Sequence, residues 1–180
     1  LGQGRMSAGF GVASVAIAAA GDRCAASTGD GAVSLFNVAS GKKVKELLGR
    51  SRVGMNLTFS PDGKSLASAA ADGSVQVWDV ESGKSLGVAP PPVAQDYLGV
   101  TSLVFTGPGT AVALAQLNSS ALMWEVPSGK VITPVVGHQQ PVTGLSFTAE
   151  KELISAAFNG EVIRWDTAGK RGGNVPLTLP

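Results

Sequence analysis

The sequence predicts an all-β protein built of four tandem units, each a sheet of four short antiparallel strands. Three observations predict it. One phrase is written four times: "AVSLFNVASGK" at 32–42, "SVQVWDVESGK" at 74–84, "ALMWEVPSGK" at 121–130 and "EVIRWDTAGK" at 161–170. Its aromatic anchor recurs at near-constant spacing, with Trp78, Trp124 and Trp165 following Phe36 at steps of 42, 46 and 41 residues. Between the anchors, short apolar-alternating segments are cut by Asp-Gly, Asn-Gly and Ser-Gly pairs. Such pairs turn a chain tightly because Gly accepts positive φ and Asp or Asn bonds its own turn.

The second unit shows each element most plainly. Residues 55–59 alternate and "SPDG" turns the chain. Residues 65–70 return and "ADG" turns again. Residues 74–80 form the third strand, "ESG" the third turn, and 84–88 the fourth strand. Val, Leu, Phe and Trp at alternate positions give each strand one apolar face. The first unit aligns onto this without a gap, Asp30 falling on Asp72. The third aligns without a gap over three strands, with Asn118-Ser119 in place of Asp-Gly. The fourth is one residue shorter in its first turn, with strands at 141–147, 152–158 and 161–167 and the pair Asn159-Gly160 between the last two. Its fourth strand is sought in "GNVPLTLP" at 173–180. The units divide the chain into an N-terminal segment 1–10, then 11–50, 51–90, 91–137 with a proline-rich insertion, and 138–180 with a tail.

Units of this length, with Gly-His before the first strand and Trp-Asp closing the third, resemble the WD-repeat β-propeller family. "FSPDGKSLASAAADGSVQVWD" at 59–79 and "GHQQPVTGLSF" at 137–147 carry the resemblance, which extends over about residues 11–170. It implies propeller blades, about four of them, in a partial or open ring. Propellers close with about four to eight blades, and proteins of this family most often have seven. Three arrangements follow: a segment of a longer propeller, which is favoured here because the chain starts at Leu1; two chains pairing into an eight-bladed ring; or an open arc whose edges need a partner.

The resemblance also implies structural anchors: Phe36, Trp78, Trp124 and Trp165 on the third strands, Ser68 and Ser155 on the second, Asp30 and Asp72 in the following turns, and His138 before a first strand. In the family these join into a hydrogen-bonded chain, and a buried Trp N–H needs such an acceptor. Each unit departs from the full set. Arg50 stands where unit two would carry His; Asn159 replaces Asp in unit four; unit one has Ala26 near the Ser position; unit three has Leu114 and Asn118. One or two networks at most are expected to be complete. Asp79, Glu125 and Asp166, which follow the Trp residues, are expected in solvent at strand ends.

Composition narrows the function classes. Hydrophobic residues make up 44% and charged residues 15%, with a net charge of +1, which gives no steering field for nucleic acid, membrane or acidic partners. The basic cluster Lys42, Lys43, Lys45, Arg50 and Arg52 lacks interleaved aromatics and reads as a charged outer strand. No apolar run reaches the roughly 18–20 residues that span a bilayer. The single cysteine, Cys24, forms no internal disulfide and reads as a small core side chain. Two glycosylation sequons, at Asn56 and Asn118, lie in a strand and a turn. The only histidine, His138, has no nucleophile–carboxylate set beside it in sequence, so no catalytic, cofactor or metal site is expected.

These readings point to a non-catalytic scaffold for protein partners. The alternative is a regulatory or sensory region of a larger multidomain signalling enzyme. Propeller loops gather at one end of the blades, and there the unrepeated residues Arg52, Asp96, Tyr97, Gln139 and Phe158 form the expected partner face. Asp96 and Tyr97 belong to the insertion "APPPVAQDYLG" at 89–99, which accounts for the longer 46-residue step. Self-association or further blades would complete the ring.

Overall fold

A computed structural model describes residues 11–48, 54–70, 72–89, 100–107, 111–116, 120–125, 128, 130–148, 152–165 and 171–174. Its regular elements are all strands, and they form four sheets in chain order. Blade 1 comprises β1 (Val12–Ile17), β2 (Arg23–Thr28), β3 (Ala32–Asn37) and β4 (Lys43–Leu48). Blade 2 comprises β5 (Gly54–Phe59), β6 (Ser65–Ala70), β7 (Val75–Asp79) and β8 (Ser85–Ala89). Blade 3 comprises β9 (Val100–Phe105), β10 (Ala111–Gln116), β11 (Ser120–Glu125) and β12 (Val131–Val136). Blade 4 comprises β13 (Val142–Phe147), β14 (Leu153–Ala157), β15 (Val162–Trp165) and β16 (Arg171–Asn174). Within each blade every strand pairs antiparallel with the next, so each sheet is a simple meander.

The turns follow from the sequence. Gly31, Gly73 and Gly160 occupy the same corner between second and third strands, with φ of 88°, 83° and 81°. An L-residue with a Cβ is strained there, which is why the dipeptide recurs. In the corner of blade 2, Asp72 accepts hydrogen bonds from the backbone N–H (2.9 Å) and hydroxyl (2.6 Å) of Ser74. The corner after the third strand explains the repeated Ser-Gly-Lys. Asn37 accepts from the N–H and hydroxyl of Ser40, both at 2.8 Å, and Asp79 accepts from the same groups of Ser82 at 2.7 and 2.6 Å. Glu125 accepts from the Ser128 hydroxyl at 2.9 Å. Asp79 and Glu125 thus lie at the strand ends as expected, and they are turn acceptors there.

One strand differs from the reading of the sequence. The fourth strand of blade 4 is Arg171–Asn174, centred earlier than 173–180, and it pairs with β15 through Arg164↔Gly173 and Trp165↔Arg171. "RGGN" has little strand propensity; the open edge of β15 supplies its ladder. Glycine suits the place because a Cβ on Gly172 would stand 3.4 Å from both Nε and the carbonyl oxygen of Arg164.

The core lies between the sheets. Ala25, Leu35 and Leu47 of blade 1 pack on Leu57, Leu66 and Trp78 of blade 2. Ala67, Val75 and Val77 of blade 2 pack on Leu103, Phe105 and Trp124 of blade 3. Met123 of blade 3 packs with Leu153, Ile163 and Trp165 of blade 4. The three tryptophans therefore fill three successive junctions, each with 2% of its surface exposed. At roughly 25 cal/mol per Å² over the ~200 Å² a Trp buries, each contributes about 5 kcal/mol before entropic costs. The inner strands β1, β5, β9 and β13 pack in that order, as in a propeller, and among the described residues no comparable packing joins β13 back to β1.

Hydrogen bonds also cross two of these junctions at one repeated place. The N–H of Leu57 donates to Ser14 Oγ at 3.2 Å, and the N–H of Leu145 donates to Ser102 Oγ at 3.2 Å. At the middle junction the Asn56 side-chain amide donates to the Val100 carbonyl at 3.0 Å. The sequon asparagine Asn56 is therefore engaged between blades; the sequon at Asn118 lies outside the described residues.

Candidate functional site

The repeat anchors gather most fully in blade 4. His138 precedes β13, Ser155 lies mid-way along β14, and Trp165 ends β15. Antiparallel register places Ser155 opposite Ile163, two residues from Trp165 on the same face. The indole Nε1–H of Trp165 donates to Ser155 Oγ at 2.7 Å. Ser155 Oγ is 2.6 Å from His138 Nε2, and His138 Nδ1 is 3.1 Å from Glu161 Oε2. With a neutral imidazole, one proton arrangement satisfies all three contacts. Ser155 accepts from the indole and donates its single proton to Nε2, so the imidazole carries its proton on Nδ1 and donates to the carboxylate. The His138 ring also stands edge-on to Trp165, centroids 6.4 Å apart.

Glu161 is the residue that the reading of the sequence missed. The turn position holds Asn159, whose side chain accepts the Glu161 N–H at 3.1 Å. The carboxylate comes instead from two residues further on, at the entry to β15. A Glu side chain is long enough to reach back to the imidazole from there.

A hydroxyl, an imidazole and a carboxylate in line form the arrangement that activates a serine nucleophile. Here the groups are enclosed. Ser155 is fully buried, His138 is 7% exposed, and the serine oxygen is already engaged by the indole. No substrate reaches it in this arrangement.

The other anchors are distributed differently. Trp78 and Ser68 of blade 2 are both buried, yet no hydrogen bond joins them. Asp72 turns to Ser74, as above. Phe36 is 2% exposed, and Trp124 sits in the junction between blades 2 and 3. The Thr28 hydroxyl and the Ala32 N–H both donate to Asp30, in that order of effect, and hold its carboxyl below the ordinary value of 3.8. Ser60 does the same for Asp62, aided by the Lys64 N–H, and Ser82 for Asp79. Burial pushes the Cys24 thiol up, as suits a core side chain and not a reactive one.

Of the expected partner face, Gln139 and Phe158 fall within the described residues; Arg52, Asp96 and Tyr97 lie outside them. Both described residues are exposed, Phe158 at 80%. The Phe158 N–H donates to the Pro141 carbonyl at 3.0 Å, which ties the β14–β15 corner to the segment entering β13. Phe158, just past the end of β14 and bonded to Pro141, and Gln139, which follows His138, thus stand at the end of blade 4 where β13 begins.

At the opposite rim, between blades 1 and 2, lies an open cleft of about 430 Å³ lined by charged residues that include Asp22, Arg23, Asp62, Lys64, Asp79 and Glu81. Its charges are largely matched internally. Arg23 approaches Glu81 at 3.3 Å and Asp22 at 3.6 Å, while Asp62 and Asp79 accept from Ser60 and Ser82 of their own turns. Of the basic cluster, Lys43 pairs with Glu46, and Lys45 Nζ donates to the Glu81 carbonyl at 2.5 Å.

Residues 41–79, which run from the turn before β4 through β7, match the family model described as WD domain, G-beta repeat. Among curated proteins, no sequence matches the chain.

Proposed function

We propose, from the match of residues 41–79 to the WD-repeat model and from the four meander sheets, that the chain is a WD-repeat β-propeller array and a non-catalytic scaffold that holds protein partners at the rim of blade 4. WD-repeat domains serve in general as protein-interaction surfaces. The observation that carries this reading is Phe158, a large aromatic side chain 80% exposed on a corner whose backbone is pinned by the Pro141 hydrogen bond. Aromatic side chains presented on a rigid support are frequent binding hot spots. Gln139, in the segment that leads to Pro141, supplies an exposed amide for polar contacts. Arg52, Asp96 and Tyr97 are proposed to extend the same face. The anchors beneath are proposed to act through rigidity alone, and His138 and Ser155 carry no chemistry in this reading.

The test is quantitative affinity capture with the wild-type chain and with Phe158→Ala, each checked for an unchanged thermal midpoint. We expect a defined set of proteins to lose at least about tenfold in recovered affinity on the substitution. Equal recovery by both proteins sinks the assignment of this rim.

A further inference from the structure

The fourth strand forms the outer edge of each blade, and the four versions protect that edge unequally. Their registers are alike. Each carries its irregularity at the second residue, where Val44, Leu86, Ile132 and Gly172 stand unpaired against the third strand. Two residues further on, Glu46, Val88, Pro134 and Asn174 hold one equivalent position. Proline fits there in β12 because the backbone nitrogen at that place points away from the ladder, to the open edge. The same register turns the N–H and carbonyl of Val88 outward from β7. Among the described residues no strand lies beyond β8.

A row of outward N–H and C=O groups pairs readily with another extended chain unless something blunts it. Charge blunts β4, through Lys43, Lys45 and Glu46. Pro134 removes the outward N–H of β12. β16 is only four residues long and opens on Arg171. β8, Ser85–Ala89, carries neither a charge nor a proline. Its Leu86 and Val88 are 39% and 40% exposed, so apolar side chains flank the unblunted edge. Residues 90–99, which follow it, lie outside the described residues.

We infer that the outer edge of β8 is a self-association site: it takes the β8 of a second copy, antiparallel, and two four-stranded sheets join into one. The strand is complementary to its own reverse. A crossing at Gly87 sets Leu86 opposite Val88 on both sides of the two-fold axis, with no side chain on the axis itself. Like charges facing each other across strands are destabilising, and none do so here: the two Lys84 side chains fall at opposite ends of the pair. β4 paired with itself would bring its lysines together instead. The net charge of +1 adds little repulsion between copies. Five residues a side bury less than the ~1,200 Å² of a stable complex, so the dimer is weak and forms on the order of 0.1 mM. The site is independent of the partner rim at Phe158.

The experiment uses the protections that the other blades already carry. Val88→Glu copies Glu46 and Val88→Pro copies Pro134, so both are compatible with a fourth strand, and an unchanged thermal midpoint checks each. Sedimentation equilibrium of the full chain is run from about 10 μM to about 1 mM. Wild type is expected to rise toward twice the monomer mass, and both variants to stay monomeric. An equimolar mixture of Val88→Glu and Val88→Lys chains is expected to recover a dimer, because opposite charges on diagonal positions of paired strands attract. Ile17→Lys alters the other exposed apolar strand, β1, where Ile17 is 64% exposed, and is expected to leave the dimer unchanged. A wild type that stays monomeric across the range overturns the inference. So does a dimer that survives Val88→Pro and Val88→Glu, a dimer lost with Ile17→Lys, or a mixture that fails to associate.

Discussion

The indole N–H of Trp165 is satisfied by Ser155 at 2.7 Å, whereas Trp78, at the same place two junctions away, is not joined to Ser68. In blade 4 an imidazole stands behind the serine. His138 takes the Ser155 proton and so leaves the serine oxygen's lone pairs for the indole. In blade 2 the corresponding sequence position is Arg50, which lies outside the described residues.

Ser155→Ala therefore leaves a buried indole N–H and a buried imidazole nitrogen without partners. A loss of about 1–3 kcal/mol is expected in denaturant unfolding. Ser68→Ala removes no such bond and is expected to cost less than about 1 kcal/mol. Equal losses would show that the hydrogen-bonded chain contributes nothing beyond packing.

Glu161→Ala removes the acceptor from His138 Nδ1–H and is expected to cost about 1 kcal/mol, while Glu161→Gln keeps an acceptor and most of the stability. Nitrogen NMR of His138 reads the chain directly. The neutral ring should show the Nδ1–H tautomer, and an Nε2–H tautomer would contradict the proton arrangement assigned above.

Gly137 lies against the Trp165 ring, and a Cβ there would stand 2.8 Å from the indole Cη2. Gly137→Ala is expected to cost about 1–3 kcal/mol through overpacking. In a Trp165→Phe background the clash is gone and the cost should fall below about 1 kcal/mol. An additive double-mutant cycle would contradict this contact.

Asp30, Asp62 and Asp79 all have folded pKa values below the ordinary 3.8, each chiefly because a neighbouring hydroxyl donates to the carboxylate. A depressed folded value means that the contribution to stability is present above the unfolded value and is lost as pH falls through the folded one. Turn stability should therefore hold from neutral pH down to about pH 4 and decline below it. Thr28→Val should raise the Asp30 pKa toward 3.8 in a carbon-detected titration; an unmoved value would assign the shift to another cause.

The meanders were legible because their determinants are local. Asp-Gly and Ser-Gly corners, period-two apolar alternation and the Phe or Trp anchors placed β5–β8 within a residue or two of where they lie. What stayed hidden depends on groups brought together from a distance. Glu161 was passed over because the carboxylate was sought at Asn159, and only the register of β14 on β15 shows that the next strand's entry faces His138. Ser14 and Ser102 look like ordinary strand serines until the neighbouring blade sets Leu57 and Leu145 beside them, 43 residues away in each case. β16 carries too little propensity to announce itself, since its pairing partner supplies what "RGGN" lacks. At the rim, Phe158 was visible as an unrepeated aromatic, but its exposure and its tie to Pro141 belong to the fold.

Native-state hydrogen exchange at three equivalent amides tests the blade array most directly. Leu57 and Leu145 donate across junctions to Ser14 and Ser102, and Val15 holds the same register on the open face of β1. The account predicts strong protection at Leu57 and Leu145, lost selectively in Ser14→Ala and Ser102→Ala respectively, with fast exchange at Val15. Fast exchange at Leu57 and Leu145 in the folded wild type, or protection of all three alike, would contradict it.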